Sequence, residues 1–187
     1  GKVYLLAMAG LLAATVPMCW LAWFAGHQKI VVFLLYLLVI TCTSTWLSWR
    51  AIRDRRDWAR YVGPAYRALM WLNLGAGAGI ALFGLIVSFS LIGISTFASM
   101  RRFALQPPTE ARWWMRQHLR AMLGNGVATH IAFLSIGLPR LLPMLQGPVF
   151  QNLAWLAPLG VAAVAGVYLG RKYLGAPGRA GRLPQRA

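Results

Sequence analysis

Five stretches of this chain contain no Asp, Glu, Lys or Arg: residues 3–28, 30–49, 68–100, 121–139 and 141–170. Each reaches or exceeds the roughly 18 to 20 residues that an α-helix needs to cross about 30 Å of hydrocarbon. A chain of 187 residues made largely of such runs has lipid as its main solvent. Composition agrees, with 59% hydrophobic residues, 12% charged residues and a mean hydropathy of +0.58, a balance foreign to soluble domains. The expected fold class is all-α: a polytopic membrane helix bundle with about six transmembrane helices over residues 1–174. A basic, flexible cytoplasmic tail is expected over 175–187.

The first span is expected over about residues 3–25, with Trp20 and Trp23 at a headgroup boundary and Pro17 as a kink that membrane helices tolerate. The polar turn GHQK leads into a second span over about 30–49, closed by Trp46 and Trp49. The segment RAIRDRRDWAR follows, and its arginines place it in the cytoplasm. Arg101, Arg102, Arg112, Arg116 and Arg120 place the next basic loop on the same side. The segment between must then cross the membrane an even number of times. Two short spans, about 61–80 and 82–100, are therefore expected in place of one long span, with Arg67 near the entry of the first. A fifth span covers about 115–137 and a sixth about 153–171, joined by the external loop PRLLPMLQGPVFQN.

A formal charge of +16 invites comparison with nucleic-acid binders. Here the basic residues fall between and after the apolar runs, without interleaved stacking aromatics, so no nucleic-acid partner is expected. Arg50, Arg53, Arg55, Arg56, Arg101, Arg102, Arg171 and Lys172 are instead expected to hold loops on the cytoplasmic side and touch anionic lipid headgroups. Cys19 and Cys42 lie inside spans with no CxxC spacing, and read as buried thiols. The run from Val3 is too long for a signal peptide and lacks its small-residue cleavage pattern.

Four segments carry a resemblance: GKVYLLAMAG, WLSWRAIRDRRDW, RRFALQPPTEARWWMRQHLRAMLGNGVATHIAFL and WLAPLGVAAVAGVYLGRKY. Together they resemble an uncharacterised family of bacterial polytopic membrane proteins of the domain-of-unknown-function type, over most of the chain. The resemblance implies a bacterial inner-membrane protein and two separate helices between Arg67 and Arg101. It also implies a His-Arg pair and a seventh helix ahead of the GKVY-like segment. His118, Gly124, Ala128, Thr129 and Phe133 match the family's pattern, whereas Asn125 and His130 depart from it.

Haem b is the cofactor weighed for the histidines. A membrane b haem takes two neutral imidazoles on opposite faces of the iron, each ring fixed by a further partner. His118 and His130 are 12 positions apart on one helix, about 18 Å along it and about 120° around it. They cannot share one iron. His130 and His27 could form an outer site, and the histidine implied by the resemblance could meet His118 at an inner one. The plainer readings are an interfacial ring at His118, an interhelical hydrogen bond at His130 and a solvated turn residue at His27.

Ion-coupled transport usually needs a carboxylate or lysine within the spans, yet Asp54, Asp57 and Glu110 all fall in loops. Passive flux and lipid transport stay open. No serine or histidine has an intramembrane carboxylate to orient it, and neither HExxH nor a phosphate-binding glycine loop occurs. No catalytic or metal-ligating residue is therefore named, and Asp54 and Asp57 read as parts of a salt-bridged loop. Gly75, Gly77, Gly79, Gly124 and Gly126 offer small-residue faces for helix packing, with Asn73 and Asn125 placed to bond across them. The leading expectation is a non-catalytic accessory or scaffold subunit packed against other integral membrane subunits. The alternatives are a b-haem or quinone-linked redox protein and a small-molecule or lipid transporter.

Overall fold

A computed structural model describes residues 2–82, 87–145 and 147–174, and all of its described elements are helical. The tail expected over 175–187 and residues 83–86 lie outside the described residues. The helices are α1 (Lys2–Phe24), α2 (Gln28–Arg53), α3 (Trp58–Tyr61), α4 (Pro64–Leu82), α5 (Val87–Leu105), α6 (Trp113–Ala132), α7 (Leu138–Leu141) and α8 (Pro148–Leu174). A π-helical turn, Phe133–Gly137, joins α6 to α7. Four rods are long and apolar enough to cross a membrane: Val3–Phe24, Gln28–Arg53, Trp113–Leu141 and Pro148–Leu174. Many of their exposed side chains, among them Leu6, Leu21, Leu156, Val161 and Val164, are apolar. Helices apolar on nearly every side belong in lipid.

The turn between α1 and α2 shows why the first hairpin is tight. Gly26 takes φ +75°, a left-handed conformation that glycine adopts without strain. The His27 N–H donates to the Ala22 carbonyl at 2.9 Å and the Gly26 N–H to that of Trp23 at 3.0 Å. These are the paired bonds of a Schellman stop, and they satisfy the last carbonyls of α1.

Between Arg67 and Arg101 the chain forms two separate helices, α4 and α5, packed antiparallel. Gly77 and Gly93 meet at their crossing, and Tyr66 Oη donates to the Met100 carbonyl nearer the other end. α5 runs on through Arg101 and Arg102 to Leu105, which makes those arginines helical where a loop was expected. The loop expected after the fifth span is also shorter. α7 carries the rod to Leu141, and α8 begins at Pro148, a residue suited to a first turn because its missing N–H would have no helical partner. Pro139 explains the π turn: its ring cannot continue the ordinary pattern, and the Leu138 N–H bonds instead to the Phe133 carbonyl five residues back.

α2 is the centre of the bundle, packed on α1, α4 and α6, while α8 packs on α6 and α5 on α4. At the arginine-rich end, Tyr61, Tyr66, Phe103 and Trp113 form an aromatic plug. Arg112 Nη1 donates to the Tyr173 carbonyl at 2.9 Å and brings the end of α8 there too. The ends of α2, α5 and α8 thus gather Arg50, Arg53, Arg101, Arg102, Arg171 and Lys172 at one end of the molecule.

Candidate functional site

The run TCTSTWLS, residues 41–48, gives α2 a polar strip inside an apolar bundle. Thr43, Thr45 and Ser48 are buried, so their hydroxyls must find partners or forfeit hydrogen bonds where water is absent. Toward α4, Asn73 Nδ2 donates to Thr43 Oγ1 and to the Leu69 carbonyl, both at 2.7 Å. Toward α6, Asn125 Nδ2 donates to Thr45 Oγ1 at 3.0 Å and to Tyr4 Oη at 2.8 Å, while its Oδ1 accepts from Ser44. Asn125 therefore ties three helices, α1, α2 and α6, with every polar atom of its amide used. Asn73 does less, because its Oδ1 is buried without a partner.

His118 closes the lower end of the strip. Its Nδ1 lies 2.9 Å from Ser48 Oγ and 3.0 Å from the Ser48 carbonyl. Two tautomers fit. If Nδ1 carries the proton it donates to the carbonyl, and Nε2 is left as a lone pair; if Ser48 donates to Nδ1, Nε2 becomes a donor. His130 is exposed, and its Nδ1 sits 2.7 Å from the Gly126 carbonyl of its own helix. His27 is exposed at the turn before α2. No hydrogen bond joins one ring to another among the described residues, nor does a group of three or more His, Cys, Asp or Glu gather there with metal-ligand geometry.

Of the glycines named for packing, Gly77 meets α5 inside the molecule. A Cβ there would lie 3.0 Å from the Ser90 carbonyl oxygen and 3.2 Å from the Ile94 nitrogen. Its counterpart Gly93 is not legible in the sequence, because a lone glycine in LIGIS carries no pattern. Gly75, Gly79, Gly124 and Gly126 have nothing within 4 Å in the corresponding direction. Any close packing at those four must come from outside the described residues. Cys42 is exposed and Cys19 half-buried, which corrects the expectation that both thiols are buried: Cys42 falls on a side of α2 left uncovered by the described residues.

Of the two carboxylates expected in a salt-bridged loop, Asp54 is in ion pairs, whereas Asp57 accepts from the Arg60 N–H instead. Asp54, its side chain 1% exposed, pairs with Arg50 and stands 3.6 Å from Arg60 Nε. Glu110 pairs with Arg116 at 2.7 Å. Lys172 lies over the rings of Tyr168 and Tyr173, and Arg53 over that of Trp49. Arg55 and Arg56 are exposed beside Asp54. Burial pushes the Tyr61 phenol well above its ordinary pKa, and the neighbouring Tyr66 adds to the rise. Against known proteins, no family model, curated protein or solved structure matches this chain.

Proposed function

We propose that the chain is a non-catalytic subunit of a larger membrane complex, a scaffold whose outer helices pack against those of integral membrane partners. In this reading α4 and α5 cross the bilayer as a hairpin, giving about six spans. The arginine-rich end faces the cytoplasm by the positive-inside rule, and the family resemblance supplies the bacterial inner membrane. The observation that carries the reading is the one-sided docking of α1 and α8. Each packs mainly on a single neighbour, and each leaves large apolar side chains outward. Gly160 on α8 and Gly124 and Gly126 on α6 have open space above them, which permits the close backbone approach that membrane helix pairs use.

The polar strip supports the same reading. It joins neutral amides, hydroxyls and one imidazole, with no carboxylate among its bonded partners, so it can fix helices in register but lacks an acid–base pair. The test is extraction of the tagged full-length chain with its surrounding lipid, followed by quantitative mass spectrometry. An integral membrane partner at fixed stoichiometry is expected; recovery of the chain alone would refute the reading.

A second reading, a b-haem protein, is favoured by one observation. His118 Nδ1 stands 3.0 Å from the Ser48 carbonyl; in the tautomer that donates there, the bond is of the kind that orients a ligand histidine and leaves Nε2 for iron. A reduced-minus-oxidised visible spectrum of the same preparation tests it. A b-type signal lost in His118→Ala would establish the redox reading, and a flat spectrum would remove it.

A further inference from the structure

We infer that the elbow between α2 and α4 is a binding site for one anionic glycerophospholipid, its phosphodiester held by Arg53, Arg55 and Arg56 and an acyl chain laid against Trp46 and Pro64. The inference rests on the membrane placement proposed above, and it holds whether or not the chain is a partner's subunit.

The elbow is prefolded. Asp54, buried at its corner, engages Arg50 and Arg60. Arg50 Nη2 also donates to the Arg60 carbonyl at 2.9 Å, which ties residue 60 back to α2. The Asp57 side chain accepts from the Arg60 N–H at 2.8 Å and caps α3. Asp54 is thus committed within the elbow, and Asp57 is tied to it through one oxygen. Arg53, Arg55 and Arg56 have no carboxylate within ion-pair distance among the described residues. Three guanidinium groups on one recess attract an anion with several acceptor oxygens, and phosphate offers them in a geometry that matches the guanidinium fork.

The shape selects a lipid over a free phosphate. The three arginines, with Asp54, Asp57 and Arg60, line a recess of about 310 Å³. A second recess of about 340 Å³ is walled mainly by Trp46, Gly63, Pro64, Ala65 and Tyr66; Arg50, paired with Asp54, also lines it, and Arg60 lines both recesses. Trp46 lies about two turns up α2 from Arg53, toward the apolar middle of the span. The charged recess is therefore at the end of the span and the less polar one on its bilayer side. A molecule with an anionic head and an apolar body fills both.

The test is native mass spectrometry of the full-length chain in detergent, with phosphatidylglycerol as the probe. One phosphatidylglycerol per chain is expected to be retained, in preference to phosphatidylcholine. Arg53→Gln with Arg56→Gln should weaken retention by about thirtyfold. Arg101→Gln with Arg102→Gln, which removes the same charge from the end of α5, should leave it within about twofold. Equal losses in the two variants would overturn the site in favour of diffuse attraction. Displacement by inorganic phosphate would reduce it to an anion site, and equal retention of phosphatidylcholine would remove charge recognition; either result defeats the inference. Loss of a co-purifying partner with lipid retention intact would strike the subunit reading alone.

Discussion

Replacing Gly93 by alanine tests the α4–α5 hairpin at its narrowest point. A Cβ at Gly93 would stand 2.9 Å from the Asn73 carbonyl oxygen and 2.9 Å from Gly77 Cα, with Gly77 N at 3.1 Å. All three are backbone atoms, so no side chain can swing aside. Carbon contacts settle at about 3.5–4.0 Å, and the helices must part by about 1 Å to admit the methyl group. Overpacking of this kind costs about 1–3 kcal/mol, against at most about 1 kcal/mol regained from alanine's helix propensity. The net expectation is a loss of about 1–2 kcal/mol. Gly75→Ala is the internal control, because nothing lies within 4 Å in its direction, and it should match or slightly exceed the wild type. Dodecyl sulfate titration of the full chain in mixed micelles, followed by far-ultraviolet circular dichroism, measures both. A Gly93→Ala protein as stable as Gly75→Ala would refute the close crossing.

Three further outcomes follow from the buried polar groups. Asn125→Ala removes three interhelical partners and should cost about 2 kcal/mol at the modest value of such bonds in membranes; Asn73→Ala, with one interhelical bond, should cost less than half as much in the same titration. Asp54→Asn leaves Arg50 without its buried counter-charge and should destabilise by about 3 kcal/mol, the lower end for a broken buried pair because Arg60 can turn to water. Tyr61→Phe deletes a buried hydroxyl that has no hydrogen-bond partner and should stabilise the fold by about 1 kcal/mol. Because burial raises the Tyr61 pKa in the folded state, its contribution is complete below the unfolded value of about 10 and falls as pH rises beyond it. Alkaline unfolding of Tyr61→Phe should accordingly start at a higher pH than that of the wild type.

Hydropathy made the helices legible, because lipid allows few alternatives to a helix wherever some twenty residues carry no charge. Charge made the break between α4 and α5 legible, since the basic loops before and after the segment carried the expectation of an even number of crossings. Helix ends were less readable. α5 carries Arg101 and Arg102 for another turn, and α7 extends the α6 rod past Pro139, because long basic side chains and a π turn let helices outlast their apolar stretch. Asn73 and Asn125 stand out as polar residues in apolar surroundings, and His118 as one of three histidines in the chain. Their partners do not, since Tyr4, Ser44, Thr45 and Ser48 are ordinary membrane residues until α2 sets them opposite α1 and α6. Gly93 was silent for the same reason: its meaning lies in Gly77, on another helix.

The most direct test of the subunit account is site-specific photo-crosslinking from α8 in the native membrane, with a crosslinking residue at Val164, which is exposed. The control position is Ala154, buried on the same helix. The account predicts one discrete crosslinked band from Val164, containing an integral membrane protein also recovered at fixed stoichiometry, and only intramolecular products from Ala154. Crosslinks from Val164 to lipid alone would contradict it and leave α8 as a helix that faces the bilayer.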